Sequence, residues 1–314
     1  MELPLEYKTI LESKLDNYSL SILKVRVNSI INRYKYDSGS STPIIKDQLD
    51  AYIYAVYRFP ATYKVCSDIF SNYSLSEVST VIDVGAGSGA ASLALSYYYP
   101  HARYYLLESN IYMKNVGLDL LSSFNNMSYI DYDINKSNLD IKGNMVLASY
   151  VYNELDKLGR INLINKMINM SNHYLLFIEP GTPIGYKNIL EIKDYLSSYR
   201  YSILGPCPNI YNCPLKSIES RWCHYSSRVS RSKLVKDLKE GDVPYEDEKY
   251  IYLLIDISTS EIEPTSRIIS NPKINKGYVE LVLCTSNGLK NIKVTKKDKE
   301  LYKIAKKKIV GDPL

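Results

Sequence analysis

The run Val81-Ile82-Asp83-Val84-Gly85-Ala86-Gly87-Ser88-Gly89 decides the fold. Its β-branched start reads as a buried strand, its glycines as a tight turn, and the residues from about Ala90 as a helix. Missing side chains let the backbone approach a ligand closely, and the first helical turn offers unpaired N–H groups, so the run suits a nucleotide-like cofactor. Because Ala90 can stand for the last small residue, the dinucleotide fingerprint G-x-G-x-x-G/A is also satisfied. Glu108, at the end of the next strand, suits ribose binding in either case. Two features favour S-adenosylmethionine: Gly89, and Asp83, an acid that is costly in a buried strand unless it faces a cation such as the cofactor's ammonium.

Outward from this run, short apolar stretches at Thr80–Val84, Tyr104–Glu108, Met127–Asp131, Met145–Ser149 and Tyr174–Ile178 alternate with helical segments after Gly89, Asn110, Asn153 and Pro183. Such alternation predicts parallel strands with crossover helices, an α/β, Rossmann-like sheet. Residues from about Leu5 to Tyr36 and from Leu49 to Phe70 carry apolar positions at helical spacing, with the turn-rich Asp37–Pro43 between them. The expected organisation is a helical N-terminal layer over residues 1–75 and a cofactor-binding Rossmann-like domain over 76–200. A cysteine-rich, metal-binding insertion follows over 201–249, then C-terminal strands at Tyr250–Ile257 and Tyr278–Cys284 that complete the sheet, with a lysine-rich tail around one helix, over 250–314.

In a doubly wound sheet the ligand lies over the carboxyl ends of the strands. That rule selects Glu108 for the ribose hydroxyls, Asp133 near the adenine, and Ser149, Tyr150, Asn153 and Glu154 beside the methyl group. Asp133 also fits a turn-forming loop residue, and Asn153 and Glu154 also fit caps of the following helix. Tyr150, Asn153 and Glu154 are the candidates for any catalytic role. An Asx-Pro-Pro-aromatic motif and a cysteine after the fourth strand are both missing from this region, which leaves the reaction unnamed.

At 314 residues and 45% hydrophobic content the chain can bury a full core, and its formal charge of +5 is too mild to identify a nucleic-acid partner alone. The 31 tyrosines against four phenylalanines read as a composition bias. Met1-Glu2-Leu3-Pro4-Leu5-Glu6 resembles neither a signal peptide nor a transit peptide, and no apolar run has the length of a membrane span. The expected address is a bacterial-type cytoplasm, with the mitochondrial matrix as alternative. Five cysteines in a chain of this length do not describe a secreted disulfide framework. Three of them, Cys207, Cys213 and Cys223, share one short segment at spacings C-x5-C and C-x9-C, and Cys284 ends a late strand. These spacings miss the tight knuckles of common zinc sites, while Cys-Pro pairs and four thiolates favour an iron–sulfur cluster. Zinc with His224 as fourth ligand stays open, and Cys66 reads as an inert core thiol.

Several further runs occur in one order: Tyr57-Arg58-Phe59-Pro60-Ala61-Thr62-Tyr63, the glycine turn, Ser149-Tyr150-Val151-Tyr152-Asn153-Glu154-Leu155, and Glu179-Pro180-Gly181-Thr182-Pro183. Cys207-Pro208, Cys213-Pro214, Trp222-Cys223-His224-Tyr225, Glu246-Asp247-Glu248-Lys249-Tyr250 and Leu283-Cys284-Thr285 follow. Together they resemble the Rsm-type family of methyltransferase-like proteins of the ribosomal small subunit, found in bacteria and mitochondria. The resemblance implies a class I methyltransferase fold and S-adenosylmethionine binding. It also implies a four-iron four-sulfur cluster on Cys207, Cys213, Cys223 and Cys284, and work on small-subunit maturation, as an RNA methyltransferase or as a catalytically silent assembly factor. A small-molecule methyltransferase is the remaining alternative. The expected partners are the small subunit and its RNA, with no membrane, and the protein is expected to be a monomer off the ribosome. Asn209 and Val310-Gly311-Asp312 depart from the family's usual histidine and Trp-Gly-Asp. Lysines 290, 293, 296, 297, 299, 303 and 306–308, with Arg221, Arg228, Arg231 and Lys233, are the candidate phosphate contacts.

Overall fold

The computed structural model describes residues 1–36, 43–199, 201–208, 212–218, 220–259 and 266–314. Asn209 and most of the Asp37–Pro43 turn lie outside the described residues. The chain forms two compact units, one of residues 1–173 with 227–248, the other of 174–226 with 249–314.

The first unit opens with three helices, α1 (Leu5–Ser13), α2 (Leu20–Tyr36) and α3 (Gln48–Phe70). The stretch from Leu5 to Tyr36 thus forms two helices of the expected N-terminal layer. Asp47 caps α3, its side chain accepting from the Asp50 amide at 2.8 Å. Asp50 is fully buried and meets Arg33 at 2.7 Å and Arg26 at 3.2 Å, which locks α2 to α3. Next come β1 (Thr80–Val84), α4 (Ala90–Ser96), β2 (Arg103–Glu108), α5 (Ile111–Leu121), β3 (Met127–Asp131), β4 (Gly143–Ser149) and α6 (Lys157–Met170). The strands lie in the order β3-β2-β1-β4 and pair in parallel. Val81, Ile82, Leu106, Leu107, Val146 and Leu147 are at most 1% exposed. Continuous apolar runs of this kind are what strands covered on both faces require. The cap of α6 is Asp156, which accepts from the Gly159 amide; Asn153 and Glu154 sit in a short 3-10 turn instead. The helix α8 (Lys233–Lys239) also belongs to this unit.

The second unit holds most of β5 (Ser171–Pro180), then α7 (Pro183–Leu196), β6 (Ser202–Gly205), the start of β7 (Tyr225–Ser230) and most of β8 (Tyr245–Asp256). β8 runs antiparallel to both β5 and β6, so the expected all-parallel pattern ends here. A separate four-stranded sheet contains β9 (Arg267–Ile268), β10 (Lys273–Asn275), β11 (Tyr278–Thr285) and β12 (Gly288–Thr295), followed by α9 (Lys299–Ala305). Val279, Leu281, Leu283, Val294 and Ala305 form its core. Tyr278–Thr285 therefore builds a second sheet rather than completing the first, and the lysine-rich stretch begins as a strand. No helix among the described residues is long and apolar enough to cross a membrane.

Candidate functional site

The first unit encloses a cavity of about 500 Å³ at the carboxyl ends of its strands. This lies within the range of small-molecule and cofactor pockets. Gly85, Gly87, Glu108, Asp133, Ser149, Tyr150 and Glu154 line it together; Asp83, Gly89 and Asn153 do not. The turn is fastened from below, because the amides of Gly85 and Ala86 both donate to the Leu107 carbonyl, at 2.8 and 3.0 Å. The Gly87 amide donates to Glu108 Oε2 at 2.7 Å, and the Asn110 amide to Oε1 at 2.7 Å. Tyr129 donates its hydroxyl to the Gly87 carbonyl at 3.1 Å. Gly89 has φ +84°, and a Cβ there would lie 2.5 Å from Leu121 Cδ1, so turn and packing both demand glycine.

The expectation that Asp83 faces the ligand is corrected by its burial. Its carboxyl is fully enclosed beneath the turn, where Ser92 Oγ donates to Oδ2 at 2.7 Å and Oδ1 has no hydrogen-bond partner. Burial, with a smaller contribution from the charge on Glu108, pushes its pKa up to about 7 against the Ser92 hydrogen bonds. Gly89 packs inward, and Asn153 also lies off the cavity. Asp133 is at once a lining residue and a turn former: it accepts from the Asn135 amide at 2.8 Å and meets Lys136 at 3.2 Å. The Asn135 amide is the main reason its pKa is lowered.

To the same cavity α2 and α3 contribute Tyr34, Tyr54 and Arg58. The Arg58 guanidinium lies 4.8 Å over the Tyr150 ring and pairs with Glu248 at 2.9 Å. Tyr150 has φ +65°, a left-handed conformation rare for a residue with a side chain. Glu154 lines the cavity and is exposed within it. Burial pushes its pKa up to about 7, the charge of Glu108 adds to the rise, and a hydrogen bond from Tyr34 and the charge of Arg58 oppose it.

In the second unit, the segment between β6 and β7 carries Cys207, Cys213 and Cys223, and β11 carries Cys284. Burial raises the pKa of Cys207, Cys223 and Cys284, and thiolate charge on neighbouring cysteines raises it further. Cys223 responds to all three of the others, which brings the four sulfurs into one neighbourhood. Trp222 donates its indole N–H to the Gly181 carbonyl at 2.9 Å and so fastens this segment to the turn after β5. Tyr186 and Cys213 are hydrogen-bonded at 3.1 Å. Lys193 and Arg267, 3% and 6% exposed, place positive charge beside Cys207. Among the described residues, however, no three His, Cys, Asp or Glu side chains are arranged to hold a metal ion, so the expected metal-binding insertion is not present as a formed centre. The pKa of His224 is lowered by burial and by Lys249 against a bond to the Trp222 backbone, and no cysteine contributes. Cys66 is a fully buried core thiol of the first unit.

The family profile described as mitochondrial small ribosomal subunit Rsm22 matches residues 48–314. The chain belongs to the Rsm22 family. No curated protein sequence matches it. Among solved structures, a SAM-dependent methyltransferase from Aquifex aeolicus is similar at 14% identity and a TM-score of 0.45, covering 68% of this chain and 99% of that one. Magnesium protoporphyrin IX methyltransferase from Synechocystis PCC 6803, solved with bound SAM, is similar at 13% identity and a TM-score of 0.40, covering 82% and 99%.

The Rsm22 match spans both units and every motif quoted above from Tyr57 onward. Arg58 sits within such a motif, whereas Tyr34 and Tyr54 carry no local signal and reach the cavity only through helix packing. Two of the expected phosphate contacts are engaged inside the chain: Arg228 pairs with Asp247 at 2.8 Å and Arg231 with Glu246 at 3.2 Å.

Proposed function

We propose that the chain binds S-adenosylmethionine in the cavity of its first unit and works on the ribosomal small subunit as a methyltransferase-like protein, by methylating its RNA or by assisting assembly. The observation that carries this reading is the convergence of seven expected residues, from Gly85 to Glu154, on one cavity at the strand ends. The donor set fits the cofactor. The backbone of Gly85 to Ser88 would receive the methionyl part, Glu108 retains lone pairs for ribose hydroxyls, and Asp133 with Asn135 would flank the adenine. The bound cofactor supplies an electrophilic methyl group. Ser149, Tyr150 and Glu154 would stand beside it, where they can orient an incoming nucleophile and exclude water, the positioning that such transfers chiefly require.

The ribosomal part rests on the description of the Rsm22 family, which also favours a mitochondrial address over a bacterial cytoplasm. The lysines of β12, α9 and the C-terminal stretch would meet phosphates. A four-iron four-sulfur cluster on Cys207, Cys213, Cys223 and Cys284 fits the chemistry of the donor set, four thiols with the buried cations Lys193 and Arg267 near Cys207, which would offset part of the negative charge of a thiolate-bound cluster. Zinc is the alternative occupant. Incubating small subunits with labelled cofactor tests the reaction: label in RNA supports methyl transfer, while co-sedimentation without label favours the assembly role. A protein that binds the cofactor and stays at the top of the gradient would overturn the ribosomal reading.

A further inference from the structure

Tyr34, Tyr54 and Arg58 line a part of the cavity to which the cofactor reading assigns no role. Tyr34 and Tyr54 stack there with centroids 5.3 Å apart and planes 13° from parallel. Tyr150 lies beneath Arg58, and Glu154 lines the same cavity. The charged groups that act on Glu154 come from three directions: Arg58 on α3, Glu108 at the end of β2, and the Tyr34 hydroxyl on α2. Two carboxyls and a single arginine already paired with Glu248 repel a phosphate. They do suit a neutral, flat group with N–H donors.

We propose that this part of the cavity is the seat of a second ligand, a nucleobase bearing an exocyclic amino group, with Glu154 accepting from the amino N–H and the tyrosine rings lining the base. The inference rests on the cofactor reading and deepens it by giving the substrate class. Arg58 acts as a positioning residue, held by Glu248 so that it keeps the Tyr150 ring in place. The aromatic lining comes from helices outside the sheet, so the second seat owes its existence to the N-terminal helices rather than to the strand ends.

Cytidine and uridine, which differ by an amino group for a carbonyl, separate this seat from the cofactor's. The full chain is titrated with each nucleoside by saturation-transfer NMR, with and without saturating S-adenosylhomocysteine, whose own affinity is measured by calorimetry. With the cofactor product bound, cytidine should bind at least tenfold more tightly than uridine. Glu154→Ala should remove that preference, and Glu154→Gln should restore part of it through its amide oxygen. Equal binding of the two nucleosides, or a preference that survives Glu154→Ala, overturns the proposal. So does a tenfold loss of S-adenosylhomocysteine affinity in Glu154→Ala, since the carboxyl would then serve the cofactor's ammonium. If S-adenosylhomocysteine fails to bind the wild type, the cofactor reading falls, and the titration without it still judges the nucleobase seat.

Discussion

Glu108 accepts from the Gly87 amide at 2.7 Å, so one carboxylate at the end of β2 closes the glycine turn from outside. The same carboxylate is the acid assigned to the cofactor's ribose in the proposed seat. Glu108→Ala removes both roles and should weaken S-adenosylhomocysteine binding ten- to a hundredfold, about 1.4 to 3 kcal/mol by the energies of charged hydrogen bonds. Calorimetry reads the change. An affinity within twofold of wild type would show that Glu108 does not meet the cofactor.

Asp83 makes stability depend on pH with a definite sign. Its carboxyl ordinarily titrates near 3.8 and is pushed up to about 7 in the fold. Between those values the folded chain holds a proton that the unfolded chain has released. The stabilisation it brings is complete below about pH 4 and is lost as pH rises through 7. Glu154, moved from 4.5 to about 7, contributes with the same sign. The melting temperature of the ligand-free protein should therefore fall less between pH 5 and 7.5 in Asp83→Asn than in wild type. Parallel profiles for the two proteins would refute the assignment.

Gly117 lies on α5, where alanine ordinarily stabilises a helix by up to about 1 kcal/mol. Here a Cβ would fall 1.8 Å from the Tyr129 hydroxyl and 2.4 Å from its ring. Gly117→Ala should instead destabilise by about 1 to 3 kcal/mol, the usual cost of overpacking. Displacing Tyr129 also breaks its bond to the Gly87 carbonyl, so cofactor affinity should fall with stability. A variant more stable than wild type in urea would contradict this packing.

For the cysteines, an anaerobically purified protein with a cluster should be brown, with broad absorbance near about 400 nm. Cys207→Ser, Cys223→Ser and Cys284→Ser should each lower bound iron and sulfide, whereas Cys66→Ala should retain both. Stoichiometric zinc without iron in the wild type would replace the cluster with the alternative metal.

The sequence made the first part of the sheet legible because β1, β2, β4 and β5 are short apolar runs, each followed by a helix. β12 was hidden: Lys290, Asn291 and Lys293 are exposed, and only Ile292 and Val294 face the local core, so the stretch shares its lysine content with the helix after it. Asp83 was legible as an important acid but not in its direction, because the turn that covers it is also what buries it. Tyr34 and Tyr54 could not be found by spacing at all. They meet Glu154 only once α2 and α3 pack, from positions 120 and 100 residues earlier in the sequence. Arg228 and Arg231 looked free as members of a basic run, and became engaged through acids supplied by β8.

Tyr150 holds a backbone conformation that a glycine or asparagine would adopt with less strain, by about 1 kcal/mol or more. Selection for folding alone would favour one of those residues at the corner after β4. A protein engineer seeking thermostability would arrive at Tyr150→Gly by the same logic and would erase the ring under Arg58. At this corner, durability and recognition pull in opposite directions, and the natural residue shows which was kept.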